Sequence, residues 1–82
     1  MKNQNDIFRF FLYETFLDDD GVWCLNNLLK TSLVAIRRRL TPKYLAKALD
    51  IDNVFIEWEG EENSTAVIYS GEKPYGEFRV FG

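Results

Sequence analysis

The side chains with the greatest capacity for chemistry fall into two adjacent blocks of opposite charge. Residues 22–49 contain six cations and no acidic residue, whereas residues 50–62 contain six acidic residues and no cation. The cations are Lys30, Arg37, Arg38, Arg39, Lys43 and Lys47, and the carboxylates are Asp50, Asp52, Glu57, Glu59, Glu61 and Glu62. Cationic side chains bind phosphates and carboxylates, and carboxylates bind basic surfaces. The two blocks therefore predict binding to a charged partner.

Groups that catalyse reactions are scarce in this chain. It contains no histidine, which is the commonest general base and metal ligand. Its single cysteine, Cys24, cannot form an intramolecular disulfide. Because no histidine is present, Ser32, Ser64 and Ser70 lack the usual base that activates a serine nucleophile. These features predict a protein that is not an enzyme.

Two acidic motifs resemble metal sites but lack the remaining ligands. The run Asp18–Asp20 begins like a calcium-binding loop, yet Leu29 stands where that loop needs its bidentate glutamate. We interpret the run as a solvated turn. Glu57 and Glu59 would share one strand face, but no catalytic lysine accompanies them. We therefore expect no metal and no cofactor.

Length and composition predict one small domain, residues 1–82. Of the 82 residues, 46% are apolar and 16% aromatic, as in a globular core. A net charge of −3 and a pI of about 4.8 oppose uniform nucleic-acid binding but allow a local basic face. With one cysteine and no signal-peptide pattern, the expected location is the cytoplasm. The apolar run Ile7–Leu17 is too short to span a membrane.

Apolar spacing in the first half of the chain predicts three helices. The first is capped by Asn5 or Asp6 and ends near Leu17, and its apolar residues lie on nearly all sides. From Leu25 to Arg39 the apolar residues recur with a helical period. Thr41-Pro42 starts the third helix, which runs to about Leu49, because threonine caps and proline fits the first helical position.

The second half of the chain predicts three strands. From Val54 the apolar residues alternate, with Val54, Ile56 and Trp58 facing the helices. Strands over 65–70 and 75–81 follow, separated by short turns, so an antiparallel meander is expected. The predicted fold class is α+β: three helices followed by a three-stranded antiparallel meander, in two layers.

In element order, two helices joined by a tight turn and followed by a hairpin resemble a winged helix-turn-helix. The resemblance makes the third helix the recognition helix, Glu61–Asn63 the wing and Val22–Cys24 the small first strand. It implies a DNA-binding, transcription-regulatory module. The residues predicted to bind nucleic acid are Lys30, Arg37, Arg38, Arg39, Lys43, Tyr44 and Lys47. The alternative interpretation is a solvated helix face that attracts the acidic strands of the same chain.

Protein binding is the second functional hypothesis. A small acidic inhibitor or adaptor would occupy the surface of its partner, using Glu57, Glu59, Glu61 and Glu62. The alternative for these glutamates is a strand edge that charge keeps from aggregating. A third possibility is a homodimer through the first helix, because that helix is apolar on nearly all sides.

Overall fold

The computed structural model describes residues 5–81, which form one antiparallel sheet and one α-helix. The strands are β1 (Ile7–Leu17), β2 (Trp23–Ile36), β3 (Val54–Glu59), β4 (Thr65–Ser70) and β5 (Lys73–Phe81), and the helix is α1 (Pro42–Leu49). Short 3₁₀ turns occupy Arg37–Arg39 and Glu61–Asn63. The strand order is β2–β1–β5–β4–β3, so β2 and β3 form the two edges of the sheet. No helix in residues 5–81 is long and apolar enough to cross a membrane.

The core lies between one face of the sheet and helix α1. Phe8, Phe78 and Ile68 from three central strands and Leu45 from α1 are completely or almost completely buried there. The strand positions alternate as expected, because successive side chains of a strand point to opposite faces. The prediction that Val54, Ile56 and Trp58 face the helix is confirmed, since all three pack against this cluster.

One glycine permits the closest packing in the core. The ring of Phe10 lies directly over Gly76 of the neighbouring strand, where a Cβ atom would collide with the ring. The same Cβ would lie 2.6 Å from the carbonyl oxygen of Phe11. Phe10 also packs against Phe78, with ring centres 4.8 Å apart. Close packing of β1 on β5 therefore depends on the missing side chain at this position.

Strands β1 and β2 form a hairpin that is longer than the rest of the sheet. Strand β5 pairs with β1 only from Ile7 to Leu12. Beyond that point, residues 13–17 of β1 pair only with residues 23–28 of β2, and we call this two-stranded part the arm. At its tip the Asp18 carboxylate accepts hydrogen bonds from the backbone N–H groups of Asp20 and Val22, at 2.9 and 2.8 Å. The predicted turn at Asp18–Gly21 is confirmed.

The predicted fold class is wrong, because the first two helices are strands. Segment Ile7–Leu17 is β1. Phe8, Phe10 and Leu12 point towards α1, whereas Arg9 and Phe11 lie on the other face. Because both faces of this strand carry apolar residues, its period of two was masked and the pattern resembled a helix apolar on all sides. Its aromatic residues favour strands.

Irregular pairing explains the second wrong helix. Strand β2 shifts register against β1 at two places, so residues 31–33 lie opposite Phe10, and Asn26 is an additional residue between Leu25 and Asn27. The bulge at Asn26 shifts the side-chain alternation by one residue, so Leu25 and Leu28 lie on the same face of β2. The leucines of β2 therefore fell at helical spacings although the backbone is extended. Only the last three residues of the predicted helix, Arg37–Arg39, are helical, as a 3₁₀ turn.

The winged-helix and helix-turn-helix assignments are therefore wrong. Within residues 5–81, α1 is preceded by a strand and a 3₁₀ turn, so it has no partner helix. The supposed wing, Glu61–Asn63, is a 3₁₀ turn between β3 and β4, and Val22–Cys24 lies at the start of the long strand β2. The third predicted helix and the three later strands are confirmed, including the Thr41 cap, whose Oγ1 accepts a hydrogen bond from the Tyr44 N–H. A homodimer through the first helix has no such helix to use.

Candidate functional site

Four cations form an exposed surface beside helix α1. Arg38 and Arg39 belong to the 3₁₀ turn that ends β2, and Lys43 and Lys47 lie one turn apart on α1, so we call these four residues the basic patch. All four are exposed, and within residues 5–81 none of them has a carboxylate within 4.0 Å. The first turn of α1 also lacks acidic residues. The patch therefore carries positive charge that the described part of the chain does not neutralise.

Arg37 does not belong to this surface, although the sequence grouped it with its neighbours. Its residue is only 8% exposed, and its guanidinium donates hydrogen bonds to the Asp6 carboxylate and the Asn63 carbonyl, both at 3.0 Å. The guanidinium carbon also lies 4.8 Å from the ring centre of Phe8 and 5.3 Å from that of Trp58. Arg37 therefore joins β1, β2 and β3, which is a structural role.

The other predicted nucleic-acid residues lie in different surroundings. Lys30 is exposed on β2 opposite Phe11, away from α1. Tyr44 is half-buried and packs against the core, and the Arg39 guanidinium carbon lies 5.7 Å from its ring centre. The structure thus brings together Arg38, Arg39, Lys43, Tyr44 and Lys47 but not Lys30 or Arg37.

A small cavity opens beside the basic patch at the edge of the sheet. Its volume is about 240 Å³, and it is lined by Ile7, Val34, Ala35, Ile36, Arg39 and Tyr44. Val34 and Ile36 point to one face of β2 and Ala35 to the other, so the cavity lies against the free edge of the strand. We call it the edge pocket. Its floor is apolar, and its rim carries a cation and a phenol.

The acidic side chains lie on the sheet face that points away from α1. Glu57 and Glu59 are exposed on the edge strand β3, and Glu61 and Glu62 follow in the 3₁₀ turn. Glu77, on the central strand β5, is only 8% exposed. Glu57 and Glu77 share this face, because both lie opposite Val67, and Arg79 shares it with Glu59, because both lie opposite Thr65.

Two donors neutralise the buried carboxylate of Glu77. It accepts a hydrogen bond from the Tyr13 hydroxyl and forms an ion pair with Arg79. Arg79 pairs with Glu77 and not with Glu57, which lies opposite Val67 on β4. Instead, Glu57 accepts a hydrogen bond from the Tyr69 hydroxyl at 3.2 Å.

Burial and neighbouring carboxylates shift three pKa values on this face. The pKa of Tyr13 is raised, mainly by burial and then by its hydrogen bond to Glu77. Burial and the charge of Glu57 raise the pKa of Tyr69. Desolvation and a hydrogen bond with Glu57 raise the pKa of the exposed Glu59. In each case the protonated form is favoured, first because desolvation disfavours the charged form and then because an additional negative charge beside these glutamates is unfavourable.

Sequence reasoning missed the exposed apolar side chains of the arm. Phe16, Leu17, Val22 and Leu25 are 50%, 54%, 55% and 54% exposed, respectively. The sequence pattern places Phe16, Leu17 and Leu25 on predicted helices and Val22 in the predicted small first strand. The available signal was the acidic turn at 18–21 between two apolar runs, which is typical of a hairpin.

Catalytic geometry is not evident in the described residues. Within 5–81 no group of three or more histidine, cysteine, aspartate or glutamate side chains could hold a metal ion. The Cys24 thiol lies 3.6 Å from the Asp18 carboxylate, and desolvation together with that carboxylate raises its pKa. A raised pKa reduces the fraction of reactive thiolate.

The fold and these surfaces define a small antiparallel sheet domain with one helix and a projecting hairpin arm. The comparisons add no family to this description: no family model, no curated protein and no solved structure matches the chain.

Proposed function

We propose that this protein is a non-enzymatic protein-binding module that contacts its partner through the arm and the free edge of β2. The observation that supports the proposal best is the exposure of Phe16, Leu17, Val22 and Leu25, each at half or more. Large apolar side chains grouped at one end of a molecule mark protein interaction sites. Burying them against a partner would contribute roughly 25 cal/mol for each Å² of apolar surface removed from water.

The edge of β2 offers backbone hydrogen-bonding groups beside these side chains. The strand has 14 residues, and within the described chain its outer side pairs with no other strand. Residues 23–29 carry no charge and contain the bulge at Asn26, and Lys30 and the bulge at 31–33 interrupt the edge further along the strand. A lysine and a bulge are features that limit unspecific pairing of an edge strand. A partner strand would therefore pair with β2 on only one side of the bulge at residues 31–33 and extend the sheet there.

Capture of a partner by arm variants tests the proposal. The full chain, immobilised, would be exposed to nuclease-treated extract of the source cells, and the captured protein purified and titrated against variants. Leu25→Ser should weaken binding by about tenfold, because the lost burial is that of a large apolar side chain. Phe55→Ser is the matched control, since Phe55 is 59% exposed on the opposite edge strand. Equal affinities of the two variants would contradict a role for the arm.

Nucleic-acid binding is the second candidate, and the unneutralised basic patch is the observation that favours it. About four phosphate contacts would give a slope of log affinity against log salt of roughly −3 to −4 on duplex DNA. Replacing Lys43 and Lys47 by glutamate should abolish a mobility shift at low salt. Absence of any shift with the unchanged protein would remove this candidate. The net charge of −3 weighs against it.

The remaining parts of the proposal concern the glutamates and the compartment. Glu57, Glu59, Glu61 and Glu62 form an acidic surface that keeps the second edge of the sheet from pairing, and they are a further contact region if the partner is basic. A cytoplasmic location is proposed because a lone cysteine is typical of reducing compartments. Fractionation of the source cells tests this location.

A further inference from the structure

We infer that the edge pocket takes a bulky apolar side chain from an acidic, extended segment of a partner protein. This inference rests on the proposed protein-binding function and names the chemistry of one partner segment. Three independent features of the described residues carry it: the size and lining of the pocket, the unneutralised cations at its rim, and the free backbone edge beside it.

The size and lining of the edge pocket suit a side chain rather than a free ligand. Its volume of about 240 Å³ is below the roughly 300–1,000 Å³ of small-molecule sites. Ile7 and Val34 line it and are 38% and 44% exposed, so apolar surface there is still in contact with water. Insertion of a leucine or phenylalanine side chain would bury this surface. Anchors of this kind provide much of the affinity of protein interfaces.

The charge around the pocket selects an acidic partner segment. Arg39 lines the pocket, and Arg38 and Lys43 lie next to it along the chain, so residues flanking the anchor would meet several cations. No carboxylate of residues 5–81 lies within 4.0 Å of these three side chains. Opposite charges steer association and fix the register of the partner. An apolar floor distinguishes this site from a phosphate-binding surface, which needs donors rather than aliphatic side chains.

The free edge of β2 fixes the conformation of the partner segment. Residues 34–36 line the pocket and belong to an edge strand that has no outer neighbour in the described chain. An extended peptide added to such an edge gains backbone hydrogen bonds, and its alternate side chains enter pockets. Because the bulge at 31–33 interrupts the edge, we infer a short added strand with one anchor residue.

Titration with synthetic peptides tests the inference. The probe is a fluorescein-labelled peptide with a central phenylalanine flanked on both sides by glutamate and threonine, followed by fluorescence anisotropy with the full chain. We expect a dissociation constant on the order of 10–100 µM, as for a small contact area. A peptide with serine in place of the phenylalanine, and one with lysine in place of each glutamate, should both bind at least about tenfold more weakly.

Matched variants locate the binding site on the protein. Val34→Thr removes part of the apolar lining with little change of shape and should weaken binding of the probe by about threefold to tenfold. Val80→Thr is its control, because Val80 is 41% exposed and lies outside the pocket. Arg39→Gln should weaken binding of the probe by about fivefold. Lys30→Gln, with the same change of net charge on β2 but outside the pocket, should have less than about twofold effect.

The outcomes separate this inference from the proposed function. Retained probe affinity in both Val34→Thr and Arg39→Gln, or equal affinity for the lysine peptide, would overturn the inference. Duplex DNA that competes with the probe and is insensitive to Val34→Thr would also overturn it, because the cations would then act as a general polyanion surface. The proposed function is tested separately. It fails if the Leu25→Ser and Phe55→Ser proteins bind the partner with equal affinity.

Discussion

Three consecutive arginines have different roles in this protein, although their side chains are chemically identical. Arg37 is buried between Asp6, Asn63 and two aromatic rings, whereas Arg38 and Arg39 are exposed. The difference arises because Arg37 follows β2 directly and its guanidinium lies over the rings of Phe8 and Trp58. A run of like residues in a sequence therefore does not define one surface.

Replacing Arg37 is expected to destabilise the fold strongly. Arg37→Gln should lower the free energy of unfolding by about 3 kcal/mol, because it leaves the Asp6 carboxylate without its partner and removes a guanidinium packed on two rings. Urea denaturation followed by circular dichroism measures the change. Arg38→Gln is the neighbouring control and should alter stability by less than about 0.5 kcal/mol, since Arg38 is exposed. Equal effects would contradict the structural role of Arg37.

The hydrogen bond from Tyr13 to Glu77 predicts a loss of stability at alkaline pH. Because the pKa of Tyr13 is raised in the folded state, its stabilising effect is present below the ordinary tyrosine pKa of about 10 and decreases as pH rises above it. In Tyr13→Phe this decrease should be smaller. Chemical denaturation between pH 8 and 11 checks the expectation, with Tyr75→Phe as control; identical slopes for all three proteins would contradict it.

At the scale of elements, the arm should be the least protected part of the sheet. Residues 13–17 and 23–28 pair with one neighbouring strand each, whereas β4 lies between two strands and contributes Ala66 and Ile68 to the core. Two-stranded hairpins are marginally stable by themselves. We therefore expect backbone amides of the arm to exchange with deuterium at least about a hundredfold faster than those of β4, because their opening costs less free energy.

Native-state hydrogen exchange by nuclear magnetic resonance provides the measurement. Equal protection of the arm and β4 would show that the whole hairpin opens only with global unfolding. A selective slowing of exchange in the arm when the captured partner is added would agree with the proposed contact surface.

How well each element could be predicted depended on how regular it is. Helix α1 was predicted because Thr41 and Pro42 are local signals that need no tertiary information. Strand β3 was predicted because its apolar residues alternate clearly, and β4 because it is rich in residues that favour strands. Strands β1 and β2 could not be predicted, because a second apolar face and two bulges hide that alternation. Those features depend on pairing with distant strands.

The candidate site, likewise, could be predicted from the sequence only in part. The basic block could be found from the sequence, since charge is independent of fold. The separation of Arg37 from Arg38, and of Lys30 from Lys43, required knowledge of which backbone is extended and which is helical. The edge pocket joins residues 7, 34–36, 39 and 44, and only the sheet register and the position of α1 bring these together.

At the scale of the whole molecule, the sheet face that points away from α1 brings Glu57, Glu59 and Glu77 close together, and this proximity has a cost. Glu59 has a raised pKa, so its ionisation near neutral pH is less favourable in the folded chain than in the unfolded one. The stability associated with its protonated form is present below about pH 4.3, the ordinary glutamate value, and is lost as pH rises through the folded pKa.

Replacing Glu59 by glutamine should therefore increase stability at neutral pH but not at low pH. We expect Glu59→Gln to unfold at a higher urea concentration than the unchanged protein at pH 7 and at the same concentration at pH 3.5. The physical reason is that glutamine removes a charge that is unfavourable to desolvate and that Glu57 repels. Glu72→Gln, in the exposed turn before β5, is the control for a general effect of net charge. A destabilised Glu59→Gln protein at pH 7 would contradict this explanation.

The pairing of β1 with β5 has a consequence for how the chain reaches its fold. Ile7 lies opposite Phe81, so this ladder joins residues that are 74 positions apart in the chain. Such distant contacts give a high contact order, and forming them requires closure of a large loop before they contribute any stability. We expect folding in milliseconds to seconds rather than microseconds. During ribosomal synthesis, the aromatic residues of β1 cannot be buried against β5 until that last strand has been synthesised.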